Sequence, residues 1–402
     1  MLELRQIREA ADRLGGRFRR TELIHSHYYS QQVGTPIHFK CENLQRTGSF
    51  KIRGAFNFLS SQSKNDLARG VITASAGNHA QGVACAARML GVRATVVMPE
   101  TTPLAKVLAT RDYEAEVILH GDTYDDAAER ARQIEKQSGA LAVPAFDHPL
   151  IMAGQGTVGL EIVEDLPDFD TVLVPVGGGG LISGIATAVK AQCPRARIIG
   201  VEAAGAPSAL LSRRKGKAIT LSTAASLADG IVIKHLGEQT YPVIEALVDD
   251  IVTVEEEEIA QSIVSLMEKG KLVVEGAGAV SLAAVLYGDR RLHRGRTVCV
   301  LSGGNIDVQT IARVVERGMM SEGRYLKVAV ELTDRPGALA RLAALLGESG
   351  ANIFHVSHDR RRFGVPLGRA EVDLELETRG PEHIAEILEM LHREGYGAKV
   401  VR

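Results

Sequence analysis

Six short apolar runs, rich in β-branched residues and separated by helical stretches, constrain what this 402-residue chain can fold into. Near-continuous apolar strands that alternate with helices are typical of parallel sheets covered by helices on both faces. We therefore predict an α/β fold with buried strands. The predicted strands are Val71–Thr73, Ala94–Met98, Ala115–Leu119, Thr171–Val174, Arg197–Val201 and Thr297–Leu301.

The alternation of apolar strands with helical stretches changes towards the C-terminus. It breaks near Gly318–Gly323, where we predict a linker. Beyond it, period-two and helical patterns alternate in the order β-α-β-β-α-β, which is typical of a ferredoxin-like fold. The predicted elements are a strand at Lys327–Leu332, a helix with the stripe Leu339, Leu342, Leu345 and Leu346, strands at Asn352–Ser357 and Ala370–Leu376, a helix at Glu382–His392 and a strand at Ala398–Val401.

Bulk composition excludes several classes of function. Lysine plus arginine (47) nearly balances aspartate plus glutamate (49), so we expect neither a nucleic-acid partner nor an anionic membrane surface. No apolar run is long enough to span a bilayer, and the N-terminus lacks the apolar core of a signal peptide. The four cysteines lack metal-ligand spacing and are interpreted as buried thiols of a cytoplasmic protein. The length predicts two or three domains.

Lys51 is a candidate reactive lysine. It lies between the apolar residues Phe50 and Ile52, with Gly48 and Gly54 on either side. A lysine that reacts as a neutral amine needs a sheltered site rather than a solvated face. Taken alone, Lys51 also fits an ordinary lysine whose aliphatic stem packs on apolar neighbours.

Two further segments have the composition of anion-binding turns. Ser75–Gly82, the asparagine loop, follows a predicted strand and opens a helix expected to end at Gly91, so its N–H groups suit a carboxylate. Gly177–Leu181, the glycine loop, has four consecutive glycines that let the backbone approach a compact phosphate. It lacks the Gly-x-Gly-x-x-Gly spacing of a dinucleotide site, which argues against a nicotinamide oxidoreductase. A helix cap and a flexible turn are the structural alternatives.

Ser302 begins a fourth candidate segment, Ser302–Asn305, the serine segment. It follows a predicted strand, and ligands of open α/β sheets bind at the carboxyl ends of the strands. Taken alone, Ser302 is better interpreted as a helix cap.

Together with Ser49–Ala55, the lysine segment, these three segments resemble the signatures of the pyridoxal-phosphate enzymes that dehydrate serine and threonine. The signatures occur here in the same order along the chain. The chain is most similar to the threonine dehydratases (threonine ammonia-lyases) that carry a C-terminal ACT regulatory domain.

The resemblance implies both the fold and the domain organisation. Residues 1–320 are expected to form a two-lobed, fold-type II catalytic domain similar to the tryptophan synthase β subunit, with a smaller lobe, about 45–145, inserted in the larger one. Residues 325–402 are expected to form the ferredoxin-like βαββαβ ACT domain.

The resemblance also assigns roles to residues. Lys51 is expected to hold pyridoxal phosphate as a Schiff base and to move the substrate proton, while Asn78 contacts the ring hydroxyl oxygen and Ser302 the pyridine nitrogen. The implied cofactor contacts are Phe50, Lys51, Asn78, Gly177, Gly178, Gly179, Gly180, Leu181 and Ser302. The implied substrate contacts are Ser75, Ala76, Gly77, Asn78 and His79.

Three other positions have less definite roles. We interpret His79 as structural rather than as a general base, and Glu275 either as structural or as a support for cofactor or substrate. Glu202 begins a segment that resembles a divalent-cation loop of some relatives, but Ser208 replaces its usual aspartate, so we expect no metal site.

The implied reaction converts L-threonine to 2-oxobutanoate and ammonia, and L-serine to pyruvate. A serine racemase is the nearest alternative, but relatives that racemise have a serine directly before Gly-Asn-His, where this chain has Ala76. A regulatory amino-acid-binding protein without catalysis is the alternative from another class, and it leaves Lys51 and Ser302 unexplained.

The ACT resemblance implies an amino-acid effector, either isoleucine or valine. Its expected contacts are Asp334, Pro336, Gly337, Ala338 and Leu339 at the first turn, faced by Asn352 and Ile353 of the second strand. Because such domains pair edge to edge, we expect a homo-oligomer, a dimer or a tetramer. A dimerisation module without a ligand remains the alternative.

Overall fold

The computed structural model describes residues 1–361 and 363–401, which form two compact units divided after Val308. The first unit contains a larger and a smaller sheet, and the second unit contains one further sheet. The last residue of the predicted domain 325–402 lies outside the described residues. In the part of the chain that is described, no helix has the length and apolar character needed to cross a membrane.

Strands β1 to β10 belong to the first unit. In chain order they are β1 Leu23–Ser26, β2 Ile37–Cys41, β3 Val71–Ala74, β4 Ala94–Met98, β5 Glu116–Leu119, β6 Leu141–Ala142, β7 Thr171–Pro175, β8 Arg197–Ala203, β9 Asp250–Val254 and β10 Thr297–Leu301.

The helices of the first unit connect these strands. They are α1 Leu4–Leu14, α2 His27–Val33, α3 Lys51–Ser60, α4 Lys64–Leu67, α5 Asn78–Leu90, α6 Leu104–Arg111, α7 Tyr124–Ser138, α8 Pro149–Asp165, α9 Gly180–Gln192, α10 Ser208–Lys215, α11 Thr240–Leu247, α12 Glu256–Ser265 and α13 Gly276–Tyr287.

The larger sheet has the strand order β1-β2-β10-β7-β8-β9 and is parallel except for β1, which pairs antiparallel with β2. Its central strands β10 and β7 are buried at every residue. They are apolar along most of their length because helices cover both faces of a parallel sheet. Side chains of α8, α9 and α11 pack with β7, β8 and β10 in one core.

The smaller sheet has the order β5-β4-β3-β6 and is parallel throughout. All of its strands lie between β2 and β7 in the chain, as an inserted lobe requires. All six strands predicted from the sequence are present. The prediction that each of them is buried was wrong for β5, because β5 is the edge strand and its ends are exposed.

The second unit has the predicted order β-α-β-β-α-β after a first helix, α14 Val308–Ser321. Its elements are β11 Tyr325–Thr333, α15 Ala338–Glu348, β12 Asn352–Asp359, β13 Arg369–Glu377, α16 Pro381–Arg393 and β14 Gly397–Val400. The sheet is antiparallel in the order β12-β13-β11-β14. Leu342 and Leu346 of α15 are buried against it, as their helical spacing predicted.

The linker predicted at Gly318–Gly323 was wrong for its first four residues, which belong to α14. Gly318 is buried on the same face of α14 as Val314, four residues earlier, so it is a small packing residue and not a breaker. Since α14 groups with the second unit, the boundaries 1–320 and 325–402 stay a prediction.

A buried ion cluster joins β2 and Glu42, the residue directly after it, to α3 and α8. The Arg53 guanidinium donates to both oxygens of Glu42, at 2.8 and 2.9 Å, and to both oxygens of Glu161, at 2.6 and 2.9 Å. Lys40 Nζ lies 2.6 Å from Glu161 Oε2 and donates to the Thr21 carbonyl at 2.7 Å. Burial alone would raise the pKa of Glu161, but Arg53 and Lys40 outweigh it and lower that pKa.

Replacing Arg53 with alanine is expected to destabilise the first unit by about 3–5 kcal/mol, because it leaves the buried Glu42 carboxylate without its charged partner. Urea unfolding, followed by circular dichroism, measures the change. Arg5→Ala removes an exposed ion pair with Glu9 and is the control, with an expected change below about 0.5 kcal/mol. Equal unfolding midpoints for the two variants would contradict a structural role for the cluster.

Candidate active site

The four segments singled out in the sequence meet around one cavity of about 680 Å³. The asparagine loop follows β3, the glycine loop follows β7 and the serine segment follows β10, so each lies at the carboxyl end of a parallel strand. The cavity is lined by every residue predicted to contact cofactor or substrate, namely Phe50, Lys51, Ser75, Ala76, Gly77, Asn78, His79, Gly177, Gly178, Gly179, Gly180, Leu181 and Ser302.

Lys51 is the first residue of α3 and points into this cavity. Its Nζ donates to the Ala145 carbonyl at 3.0 Å and lies 5.3 Å from the centre of the Phe50 ring. Burial lowers the pKa of Lys51 to about 8, although the Glu275 carboxylate acts in the opposite direction. An amine with this pKa is partly neutral near physiological pH, as a nucleophilic lysine must be.

The asparagine loop places backbone N–H groups at the start of α5. That helix runs from Asn78 to Leu90 and ends at Gly91, which has φ +67°, so the predicted helix and its end are confirmed. His79 Nε2 lies 3.1 Å from the Val143 carbonyl and must be the protonated ring nitrogen, because a carbonyl only accepts. Burial, with Lys51 nearby, lowers the pKa of His79 to about 3, so the ring stays neutral.

The glycine loop leaves no room for side chains. A Cβ at Gly178 would lie 2.4 Å from the Phe146 ring, and one at Gly179, where φ is +94°, would lie 2.7 Å from Thr240 Oγ1. The first N–H groups of α9 have no partners within the helix, and the helix dipole adds positive potential there. This cradle of N–H groups suits a phosphate group.

Ser302 directly follows β10 and is almost completely buried. Its Oγ donates to the Ala277 carbonyl at 3.3 Å, a long hydrogen bond that leaves the hydroxyl free to find a better acceptor. The helix-cap interpretation of Ser302 was wrong, since the next helix, α14, begins at Val308.

Glu275, left undecided by the sequence, lines the cavity just before α13. Its Oε1 accepts from Asn78 Nδ2 at 2.6 Å. Burial raises the pKa of Glu275 to about 7, and the Asp229 carboxylate acts in the same direction.

An ion pair at the cavity was missed by sequence reasoning. Lys106 of α6 donates to Asp229 Oδ2 at 2.6 Å, and both residues line the cavity. They come from different lobes and lie 123 positions apart in the chain, so no local pattern marks the pair.

The Glu202 carboxylate is buried beside the start of α10. It accepts from the backbone N–H groups of Ala209 at 2.7 Å and Leu210 at 2.8 Å, and from the Ser208 hydroxyl at 3.4 Å. Its contacts are therefore those of a helix cap. Among residues 1–361 and 363–401, no group of three or more His, Cys, Asp or Glu side chains is arranged to hold a metal ion.

A model of the family described as "Pyridoxal-phosphate dependent enzyme" matches residues 16–303, and a model of the ACT domain matches residues 327–392. The chain belongs to the pyridoxal-phosphate dependent enzymes. Its cofactor is therefore pyridoxal phosphate, whose compact phosphate suits the glycine loop and whose aldehyde suits a sheltered lysine.

Several members of this family are similar to the chain. The L-threonine ammonia-lyase of Geobacter sulfurreducens is 59% identical to this chain over 404 residues. The alignment covers 100% of both chains. The solved threonine deaminase isoform 2 of Solanum lycopersicum has a TM-score of 0.75 and 38% identity, covering 79% of this chain and 87% of that one. Maize serine racemase has a TM-score of 0.74 and 35% identity, covering 78% of this chain and 98% of that one. The predicted fold-type II catalytic domain with an ACT domain is thereby confirmed.

The titration of Lys51 can be measured in the apoprotein. Because burial lowers its pKa to about 8, its reaction with an amine-specific acylating reagent should reach half of its maximal rate near pH 8. Mass spectrometry of the digested protein follows the reaction, and the exposed Lys64 in the same digest serves as the solvated reference lysine. A midpoint near 10.4, as for an ordinary lysine, would show that the Lys51 amine is not desolvated.

Proposed function

We propose that this protein is an L-threonine ammonia-lyase that converts L-threonine to 2-oxobutanoate and ammonia and also accepts L-serine, giving pyruvate. The observation that carries the proposal is one cavity that unites the desolvated Lys51 amine with the asparagine loop, the glycine loop and the serine segment. The full-length similarity to the Geobacter sulfurreducens enzyme supports L-threonine as the substrate.

When bound, pyridoxal phosphate supplies a ring that withdraws electrons from the substrate's Cα. The glycine-loop N–H groups are suited to hold its phosphate, the Asn78 amide its ring hydroxyl oxygen and the Ser302 hydroxyl its pyridine nitrogen. The N–H groups between Ser75 and His79 are suited to the substrate carboxylate.

Lys51 is the base in this proposal. Its neutral amine takes the proton from Cα, and the ammonium group so formed can return that proton to the β-hydroxyl group, which then leaves as water. The product released then hydrolyses to the 2-oxo acid and ammonia. Burial keeps the amine weakly solvated, which maintains the low pKa that this step requires.

Ala76 favours elimination over racemisation. Racemisation needs a second acid–base group on the face of Cα opposite the first, and a methyl group cannot transfer a proton. Ala76 lines the cavity at the position where racemising relatives carry the serine. The likeness to maize serine racemase therefore supports the scaffold but not that reaction.

The purified protein with pyridoxal phosphate is expected to form 2-oxobutanoate from L-threonine, and Lys51→Ala is expected to lower kcat by at least about 10³-fold, since it removes the base. A coupled assay for the 2-oxo acid measures the rate. Lys64→Ala, on the exposed helix α4, should keep the wild-type rate. A wild-type enzyme that racemises but does not deaminate, or a Lys51→Ala variant with substantial activity, would refute the proposal.

We further propose that the second unit regulates the enzyme by binding isoleucine or valine, and that the enzyme is a homo-oligomer serving isoleucine synthesis in the cytoplasm. The match to the ACT domain supports a regulatory role. The free thiols Cys41, Cys85, Cys193 and Cys299 support a reducing compartment.

The two halves of the predicted effector site lie at opposite ends of the sheet within one chain. Thr333, next to Asp334, pairs with Arg369, whereas Asn352 pairs with Glu377, eight residues further along β13. At about 3.4 Å per residue the separation is about 27 Å. Within one chain, Asn352 and Ile353 therefore do not lie beside the turn. A ligand that contacts both groups needs two copies of the unit, in keeping with the proposed oligomer.

The turn Asp334–Leu339 remains the proposed effector site. Gly337 has φ +82° and directly precedes α15 as its N-cap, with open space around the position of a Cβ. Isothermal titration of the full-length protein should detect isoleucine or valine, and Gly337→Trp should weaken that binding at least about tenfold by filling the turn. Gly347→Trp, at an uncrowded position further along α15, is the control. No heat of binding for either amino acid would remove the regulatory proposal.

A further inference from the structure

Three side chains form a continuous chain of hydrogen bonds along the cavity wall, which we call the amide relay. Asn305 Nδ2 donates to the Thr47 carbonyl and to Asn78 Oδ1, both at 2.8 Å. Asn78 Nδ2 donates to Glu275 Oε1 at 2.6 Å. Asn305, Asn78 and Glu275 all line the cavity, and they come from three segments far apart in the sequence.

The Thr47 carbonyl sets the direction of every bond in the relay. A carbonyl oxygen only accepts, so Asn305 must turn its NH₂ group towards Thr47. That NH₂ group also faces Asn78, which must therefore present its oxygen. The Asn78 NH₂ group then faces Glu275 Oε1, which accepts. The orientation of the Asn78 amide thus follows from a backbone group.

Glycines keep the relay in place. A Cβ at Gly303 would lie 2.3 Å from Glu275 Oε1 and 3.1 Å from Asn78 Nδ2. The backbone bonds Glu275 N–H to Gly303 O, at 3.1 Å, and Gly304 N–H to Gly48 O, at 2.8 Å, join the same segments. Close packing of this kind prevents the side chains from exchanging partners without displacing the backbone.

We propose that Asn305 and Glu275 are positioning residues that lock the Asn78 amide, so that its second N–H always faces the cavity as a donor. The inference rests on the proposed function, in which that N–H contacts the ring hydroxyl oxygen of pyridoxal phosphate. A donor fixed before the cofactor binds pays no reorganisation cost on binding and stabilises negative charge on that oxygen.

Protonation of Glu275 does not reverse the relay. Burial and Asp229 raise the pKa of Glu275 to about 7, so both of its forms are populated near neutral pH, with Lys106 and Lys51 opposing the shift. Oε1 of Glu275 accepts from Asn78 whether the carboxyl group is ionised or protonated, because the protonated group carries its proton on Oε2. The direction of the Asn78 amide is therefore maintained across this titration.

Asn305→Asp reverses the relay. The aspartate has no N–H for Thr47 or for Asn78, so the Asn78 amide turns its NH₂ group towards it and its oxygen towards Glu275. An oxygen lone pair then replaces the N–H donor on the cavity side. We expect the dissociation constant for pyridoxal phosphate to rise about tenfold, as for one lost hydrogen bond, and the visible absorption band of the holoenzyme to shift in wavelength.

Asn43→Asp is the matched control. Asn43 is buried, its Nδ2 donates to the Val273 carbonyl at 3.1 Å, and it lies beside Gly304 but outside the relay. The Asn43→Asp variant should have the visible band and the cofactor affinity of the wild type. If Asn305→Asp keeps the wild-type band and affinity, or if Asn43→Asp changes both as strongly, the inference is wrong.

Substitutions at Glu275 give a second test of the inference, which does not require the Asn305→Asp variant to fold. Glu275→Gln keeps an acceptor for Asn78 and should retain the wild-type band and an affinity within about twofold. Glu275→Leu has no acceptor and should behave as Asn305→Asp does. Equal spectra for Gln and Leu would overturn the inference.

Cofactor titration separates this inference from the proposed function. A wild-type protein that binds pyridoxal phosphate but leaves L-threonine unchanged refutes the proposed reaction, while the comparison between the relay variants still decides the role of Asn305 and Glu275. Conversely, if every relay variant turns over L-threonine at the full rate and has the wild-type spectrum, the positioning role of Asn305 and Glu275 is refuted and the proposed reaction is not.

Discussion

The ion cluster around Arg53 fixes the position on which the active site depends. Arg53 lies two residues after Lys51 on α3, and its guanidinium is bound on both sides by the carboxylates of Glu42 and Glu161. Buried charges of this kind are tolerated only as a complete set, since each one alone would carry a large desolvation cost. The start of α3, and with it the Lys51 amine, therefore has one position relative to the larger sheet.

Burial then shifts the pKa values of two of the ionisable groups that line the cavity, Lys51 and Glu275, in opposite directions. It lowers the pKa of the Lys51 amine to about 8 and raises the pKa of the Glu275 carboxyl to about 7. The common cause is the cost of placing charge where water is excluded. Both groups are therefore closer to neutral at physiological pH than they would be at the surface. A neutral amine is what covalent attachment and proton removal require.

Much of this arrangement could be predicted from the sequence. The strands β3, β4, β7, β8 and β10 were found because a parallel sheet needs apolar runs, and the βαββαβ order followed from changes in hydrophobic period. The cavity residues were found because their backbone roles require glycines and small polar residues in unbroken segments. The two-lobed fold itself was found only by resemblance to a family.

What the sequence did not reveal depends on contacts between distant segments. Glu275 could be named but not interpreted, because its role depends on Asn78 and Gly303 and not on its own neighbours in the chain. The Lys106–Asp229 ion pair has no local pattern at all. Gly318 was misread as a break because a buried glycine on a helix and a glycine in a linker look alike until the packing is known.

The central claim, that Lys51 is the residue to which pyridoxal phosphate is bound, has a direct test. The holoenzyme is reduced with borohydride and digested, and mass spectrometry locates the pyridoxyl group. Lys51 is expected to be modified, in the peptide that contains Phe50 and Ile52, with little modification elsewhere. Modification of Lys106 or Lys234, which also line the cavity, with Lys51 unmodified, would contradict it.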